Sequence, residues 1–298
     1  MLRMKICYLT QTATDISDYY KEFFKEHDLY FVTFKEPNPN AIAFMPKSSW
    51  SDGRNRLWEH VKNQYDYYVF IDDDLRFLKS KMPIPFLQVL MYKFISGDVP
   101  STYKDCSSRV FLNRLKFYLN KYKPEVFSVR PATSKKYLSP MLDNTALKKN
   151  SFIRRIGWFD AMFTVFSNYA ANKMLPYDTS ISGWWSAQIP IYLFATKVFA
   201  SKSLAAVDLA ITNNFHSGEY VPNYNGIEDC KAMIEKLKMI TGRDMSEIEN
   251  ERVGVNIFFD EKNIMRRMPK ASDTENYKEN FEKNLKGIEQ LMTSDLTF

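Results

Sequence analysis

Three consecutive carboxylates, Asp72, Asp73 and Asp74, close the run Tyr67-Tyr68-Val69-Phe70-Ile71. Five β-prone, mostly apolar residues read as a buried strand, so the aspartates stand where that strand leaves the core. Like charges gathered so closely disfavour full ionisation of all three. A metal cation, and through it a phosphate, is the natural compensation. A solvated acidic turn that only caps the strand is the plainer alternative.

A second anion-handling device lies just upstream. Ser51-Asp52-Gly53-Arg54-Asn55 precedes Leu57, Trp58, Val61 and Tyr65, which have the spacing of one apolar helix face. With Ser51 or Asp52 as the cap, Arg54 and Asn55 fall in the first turn. Unpaired N–H groups and the helix dipole favour an anion there, and a guanidinium can grip phosphate oxygens in a fork. An exposed arginine without a ligand is the alternative. Because this helix leads directly into the strand that ends in the aspartates, both devices can converge on one ligand at the carboxyl end of a sheet.

Further chemistry is spread along the second half. Asp160 is the one carboxylate in the apolar run 156–166. A buried carboxylate needs a partner or a function, and burial raises its pKa toward that of a general base; a hydrogen bond to a nearby loop would equally account for it. Asp178 follows Leu175-Pro176-Tyr177, and the paired indoles Trp184 and Trp185 follow Gly183. Indole faces stack well on sugar rings, although ordinary core packing also takes them. His216 sits in a polar loop after the β-like run 207–212, and its neutral imidazole is a competent ligand beside carboxylates.

The elements around these residues read as α/β. Strands are expected at 5–10, 29–34 and, briefly, 41–45, with a helix at 16–26 between the first two. Helices follow near 86–94 and at 110–122, the latter ringed by Arg109, Arg114, Lys116, Lys121 and Lys123. That ring is a solvated basic face or a surface for an acidic or lipid-linked acceptor. Residues 125–131 form a strand that Pro131 ends or demotes to an edge. Beyond Pro222 the pattern turns helical, with apolar stripes at 227–240 and 277–292. The last stripe suits docking on the rest of the chain, a subunit contact or, with Lys262, Arg266, Arg267 and Lys270, attachment to an anionic membrane.

The composition bounds the class of protein. Of 298 residues 45% are hydrophobic and 15% aromatic, enough for a sizeable core and against disorder. A net charge of +6, from 41 basic and 35 acidic residues interspersed, suits an anionic ligand or membrane surface, and without a nucleic-acid-binding motif it argues against nucleic acid. No apolar stretch is long enough for a membrane span and the N-terminus lacks a secretory h-region, so a cytosolic location is expected, with peripheral contact at the inner face of the membrane left open. Cys7, Cys106 and Cys230 show no pairing pattern and are expected to be free buried thiols.

A Gly-Arg-Asn segment opening a helix, followed by an apolar strand that ends in Asp-x-Asp, resembles the sugar-nucleotide-binding half of GT-A-fold glycosyltransferases. The resemblance covers roughly residues 4–220 and is strongest at 50–76. It implies a GT-A-like (Rossmann-like) α/β domain over residues 1–222, with a mixed, mostly parallel sheet flanked by helices, and a helical extension over 223–298. It implies that Asp72 and Asp74 are the signature carboxylates, with Asp73 between them, and that they hold Mn²⁺ or Mg²⁺ against the donor diphosphate. By the same resemblance Thr10 lies near the nucleoside, Arg54 and Asn55 near the donor sugar or diphosphate, and His216 is the third metal ligand. Trp184, Trp185 and Gln188 belong to a Gly-Trp loop on the acceptor side.

One departure concerns the base. Many inverting members carry an acid shortly after the Gly-Trp, whereas Ser186, Ala187 and Gln188 stand here. Either Asp160, or failing that Asp178, serves as base, or configuration is retained and none is needed. The expected activity is metal-dependent transfer of a sugar from a nucleoside diphosphate to a hydroxyl of a glycan or lipid-linked acceptor in cell-surface polysaccharide synthesis. Two rivals are a haloacid-dehalogenase-type phosphatase, which would want Asp-x-Asp-x-Thr near the first strand where Leu75-Arg76 follows here, and a non-catalytic nucleotide-sugar-binding or membrane-associated scaffold.

Overall fold

The computed structural model describes residues 4–81, 103–132, 142–146, 152–156, 159, 161–179, 186–188, 199 and 202–213. The expected helix near 86–94 and the whole expected extension over 223–298 lie outside them. An eleven-stranded sheet forms the middle layer, in the order β3-β2-β1-β4-β10-β7-β11-β5-β6, with β9 also on β11 and β8 on β9. Its first half comprises β1 (Ile6–Thr12), β2 (Asp28–Thr33), β3 (Ala43–Phe44) and β4 (Tyr67–Asp72), all parallel. The second half comprises β5 (Leu75–Ser80), β6 (Tyr103–Asp105), β7 (Val126–Pro131), β8 (Leu142–Ala146), β9 (Ile153–Ile156), β10 (Phe163–Ser167) and β11 (Ser203–Asn213). Strands β5, β9 and β10 run against the other eight. The sheet is thus mixed and mostly parallel and has helices on both faces, as expected.

Strand periodicity divides the core between two helical layers. Tyr68 and Phe70 of β4, with Cys7 and Leu9 of β1, face a cluster with Leu57, Trp58 and Val61 of α2 (Trp50–Val61) and Ala170, Ala171 and Met174 of α4 (Asn168–Met174). Val69 and Ile71 face the other way, toward Tyr20 and Phe23 of α1 (Asp18–Phe23) and Phe111, Leu115 and Tyr118 of α3 (Ser108–Tyr122). Cys7 and Cys106 are free and buried. No helix among the described residues is long and apolar enough to cross a membrane.

Several local expectations shift. Strand β7 is an interior strand, paired with β10 and β11, and Pro131 ends it without making it an edge, because a terminal proline withholds no ladder N–H from the strand's middle. Strand β11 begins four residues earlier than the run 207–212 implies and carries an irregularity in its pairing with β7 between Ala206 and Ala210. Asp208 lies inside that irregularity and accepts hydrogen bonds from Arg114 Nε at 2.9 Å and Tyr118 Oη at 2.7 Å, which tie α3 to the sheet. Burial pushes the Asp208 carboxyl up, while Tyr118 and Arg114 pull it down.

One side chain fixes the turn that carries the aspartates. The Tyr20 hydroxyl, brought by α1 and buried, donates to the Asp72 carbonyl and accepts the Leu75 amide at 3.2 Å, closing both ends of the Asp73-Asp74 turn. Replacing it by Phe leaves the Leu75 amide without that acceptor in the core. Tyr20→Phe is expected to lower the free energy of urea unfolding by about 1–3 kcal/mol; an unchanged midpoint and slope would show that the turn stands without this contact.

Candidate functional site

The carboxyl ends of β1 and β4 lie side by side, with Gln11 opposite Asp72 in the register. The Asp72 amide donates to the Met162 carbonyl at 3.0 Å, so the chain segment before β10 flanks the same turn. The three aspartates are all partly exposed there. Burial raises the Asp73 carboxyl to about 6, and its charged neighbours Asp72 and Asp74 push the same way, against a hydrogen bond from Thr12. Asp72 is also raised, by burial first; Arg54 counteracts this and Asp74 adds to it.

Arg54 stands under the turn. Its Nη2 donates to Asp72 Oδ1 at 2.9 Å and to the Ala161 carbonyl at 3.1 Å, and its guanidinium lies 4.1 Å from the Trp50 ring centre. Only 2% of its side chain is exposed, against 38% for Asp72. Nη1 is buried with no hydrogen-bond partner. The sequence reading of an arginine in a first turn is corrected by the capping geometry. The cap is Ser49, whose Oγ accepts the Asp52 amide at 3.1 Å while Asp52 Oδ2 accepts the Ser49 amide at 2.8 Å. Arg54 and Asn55 therefore lie in the second turn, where backbone N–H groups are already spent inside the helix. The spacing 54, 57, 58, 61 places Arg54 on the buried stripe itself, a signal already present in the sequence.

Asn55 also departs from its expected role. Its Nδ2 donates to the Tyr177 carbonyl at 2.8 Å and its Oδ1 accepts the Tyr177 amide at 2.7 Å. Both ends of the amide are thereby engaged, so Asn55 fixes a loop where a donor contact was expected. Asp178 is the next residue of that loop and is partly exposed. Tyr177 packs edge-on against Trp50, ring centres 4.9 Å apart. Burial pushes its hydroxyl up to about 12, and Arg54 pulls against that.

Thr10 is corrected too. The strand runs on to Thr12, so Thr10 is an interior residue, 1% exposed between Phe31 and Ile71 in the sheet. The residues that do stand at the strand end are Gln11 and Thr12, which the sequence reading passed over. Gln11 Nε2 donates to the Trp50 carbonyl at 2.8 Å, and its Oε1 would lie 1.9 Å from a Cβ on Gly53. Glycine at 53 is what lets β1 and α2 approach this closely. Gln188, expected to face an acceptor, is 2% exposed and buried instead. Asp160, Trp184, Trp185 and His216 lie outside the described residues.

Among the described residues no three His, Cys, Asp or Glu side chains are gathered to hold a metal ion. Asp72, Asp73 and Asp74 would offer hard carboxylate oxygens, the donor type that Mg²⁺ or Mn²⁺ takes, and Asp72 is already oriented by the buried guanidinium of Arg54.

No family model matches the chain, and no curated protein sequence matches it. Solved structures do show likeness of chain path. TarS 1–349 from S. aureus, in complex with UDP-GlcNAc, is 10% identical with a TM-score of 0.47, over 85% of this chain and 71% of that one. The chain spans 40% of a longer TarS structure. GalNAc-T7 with UDP, GalNAc and Mn²⁺ is 7% identical with a TM-score of 0.47, over 100% of this chain and 58% of that one. A197 from STIV is 12% identical with a TM-score of 0.38, over 70% and 84% of the two chains. None of these assigns a role to a residue of this chain.

Two measurements probe the site without a ligand. Arg54→Met keeps the stem's packing and removes the charge; it is expected to cost about 1–3 kcal/mol in chemical unfolding, below the range for a fully buried pair because Asp72 is partly exposed. Asp73 sets a pH dependence. Its folded pKa of about 6 lies above the reference 3.8, so the folded chain binds more protons than the unfolded one between those values. Stability from this group therefore rises as pH falls through that window and is lost as pH rises. In chelator, Asp73→Asn should melt higher than the wild type at pH 7 and show a flatter profile from about pH 6 to 4; parallel profiles for the two proteins would contradict the assignment.

Proposed function

We propose that this chain is a metal-dependent glycosyltransferase that moves a sugar from a nucleoside-diphosphate sugar to a hydroxyl of a glycan or lipid-linked acceptor, in cell-surface polysaccharide synthesis. The observation that carries the reading is the gathering of three partly exposed carboxylates at the carboxyl end of β4, the first of them held at 2.9 Å by the buried Arg54. Burial and mutual repulsion raise Asp72 and Asp73, and a divalent ion together with the diphosphate it binds would offset that repulsion. Asp72 and Asp74 would hold that ion, with His216 as the third ligand. When bound it supplies positive charge to the departing diphosphate.

The chain's own residues do the rest. Arg54 fixes the rotamer of Asp72 and keeps one carboxylate oxygen turned inward, leaving the other for the ion. Gln11 and Thr12 line the donor side at the end of β1. Asn55 holds the Tyr177-Asp178 loop, and Asp178 is the base offered to the acceptor hydroxyl, with Asp160 as the other candidate. Trp184 and Trp185 stack on the acceptor sugar.

Thermal shift with a panel of nucleoside diphosphates and nucleotide sugars, with and without Mn²⁺, tests the reading, because a ligand of the folded state raises the melting temperature. A Mn²⁺-dependent shift for one nucleotide class is expected. Asp74→Ala should abolish it and slow donor turnover by about 100-fold or more. Binding without release of diphosphate would identify a scaffold, and full turnover by Asp74→Ala would remove the aspartates from the mechanism.

A further inference from the structure

Helix α3 lies on the opposite face of the sheet from α2, and its outer surface is unusual in composition. Its fifteen residues contain no aspartate or glutamate. Leu112, Leu115, Tyr118 and Leu119 are buried against the sheet, yet Val110 and Phe117 are 41% and 46% exposed. These two are seven residues apart, on one line along the helix, with exposed Asn113 and Asn120 beside them. Cations flank this strip on both sides: Arg109, Lys116 and Lys123 on one, Arg114 and Lys121 on the other. Arg114 is paired with Asp208, whereas the other four hold no carboxylate among the described residues. Lys121 Nζ lies 5.2 Å from the Phe117 ring centre, its stem lying beside the exposed aromatic.

An exposed aromatic and an aliphatic residue set between two rows of cations, with Arg114 alone of the five paired to a carboxylate among the described residues, match a bilayer surface, with apolar groups entering the headgroup boundary and long basic side chains reaching phosphates. We propose that the outer face of α3 seats the protein on an anionic lipid bilayer, with Val110 and Phe117 in the interface and Arg109, Lys116, Lys121 and Lys123 on lipid phosphates. The adjoining cleft between α1 and α3, about 990 Å³, is lined on its α3 side by Arg109, Asn113 and Lys116, so it borders the contact and marks its edge. Its rim mixes Lys5 and Lys25 with Glu22, Glu26 and Asp28, and those carboxylates would be repelled by anionic lipid. This assignment is independent of the donor chemistry.

The test is flotation of the full chain with phosphatidylcholine vesicles, with and without roughly one-third phosphatidylglycerol, across a salt series. Binding to the anionic vesicles alone, lost at high salt, is expected. Phe117→Ser should reduce it several-fold, and the double variant Lys116→Glu/Lys121→Glu should abolish it, each charge reversal weakening partitioning by about fivefold or more. Phe117 and Lys121 are exposed and Lys116 is half-buried at the edge of the cleft, so the variants should keep the wild-type melting temperature and the donor-induced shift. No binding to anionic vesicles, or equal binding by wild type and variants, overturns the proposal. So does binding of an RNA homopolymer that competes with vesicles and is indifferent to Phe117→Ser, which would make α3 a polyanion surface.

Discussion

The ion pair between Arg54 and Asp72 is the constraint on which the site depends. A guanidinium that is 2% exposed is costly to keep charged unless it is paired and hydrogen-bonded, and Asp72 and the Ala161 carbonyl supply that pairing from two different segments. The carboxylate needs the cation as much as the cation needs it, because Asp73 and Asp74 stand beside it. The result is a charged contact that ties α2, β4 and the segment before β10 together at one point. Trp50 and Phe70 wall the guanidinium with aromatic faces, 4.1 and 5.4 Å from their ring centres, so its orientation is fixed by packing as well as by charge.

Around this pair, every neighbouring contact acts on backbone position. Tyr20 closes the acidic turn from one layer, and Gln11 anchors the start of α2 through the Trp50 carbonyl. Asn55 spends both halves of its amide on Tyr177 from the other layer. The Leu57, Trp58 and Val61 stripe supplies the hydrophobic burial that makes this affordable, since it seats α2 on β1 and β4 regardless of what the polar groups do. Rigid packing thus carries the cost of holding three carboxylates close together at the end of β4.

Much of this was legible in the sequence, and the omissions have a common cause. The strand 67–72, the helix behind it and the basic helix 108–122 are visible because burial imposes a period on the side chains that face the core. The acidic turn is visible because charge at a strand end has no packing explanation. Tyr20, Gln11 and Thr12 were not visible, because their roles arise from contacts 39 to 55 residues away or from strand register, which leaves no local pattern. Arg54 and Asn55 were expected beside a donor, whereas their described partners are Asp72, Ala161 and Tyr177. Placing the cap at Ser51 or Asp52 instead of Ser49 counted both into the first turn, although the spacing to Leu57, Trp58 and Val61 already set Arg54 on the buried stripe. Thr10 failed for a similar reason, since the strand continued for two further residues into polar sequence where alternation gives no stop signal.

The two layers also bear on what kind of acceptor could be used. Arg54, Asn55 and the Tyr177-Asp178 loop belong to the layer of α2 and α4, whereas α3 packs on the other face of the sheet. If α3 rests on a bilayer, the sheet stands between the membrane and the loop that would present the base. A sugar attached directly to a lipid headgroup would then lie on the wrong side of the sheet to meet Asp178, while a longer glycan could extend past the strand ends and return to it. Membrane seating through α3 and transfer onto an extended, membrane-tethered chain are therefore mutually consistent.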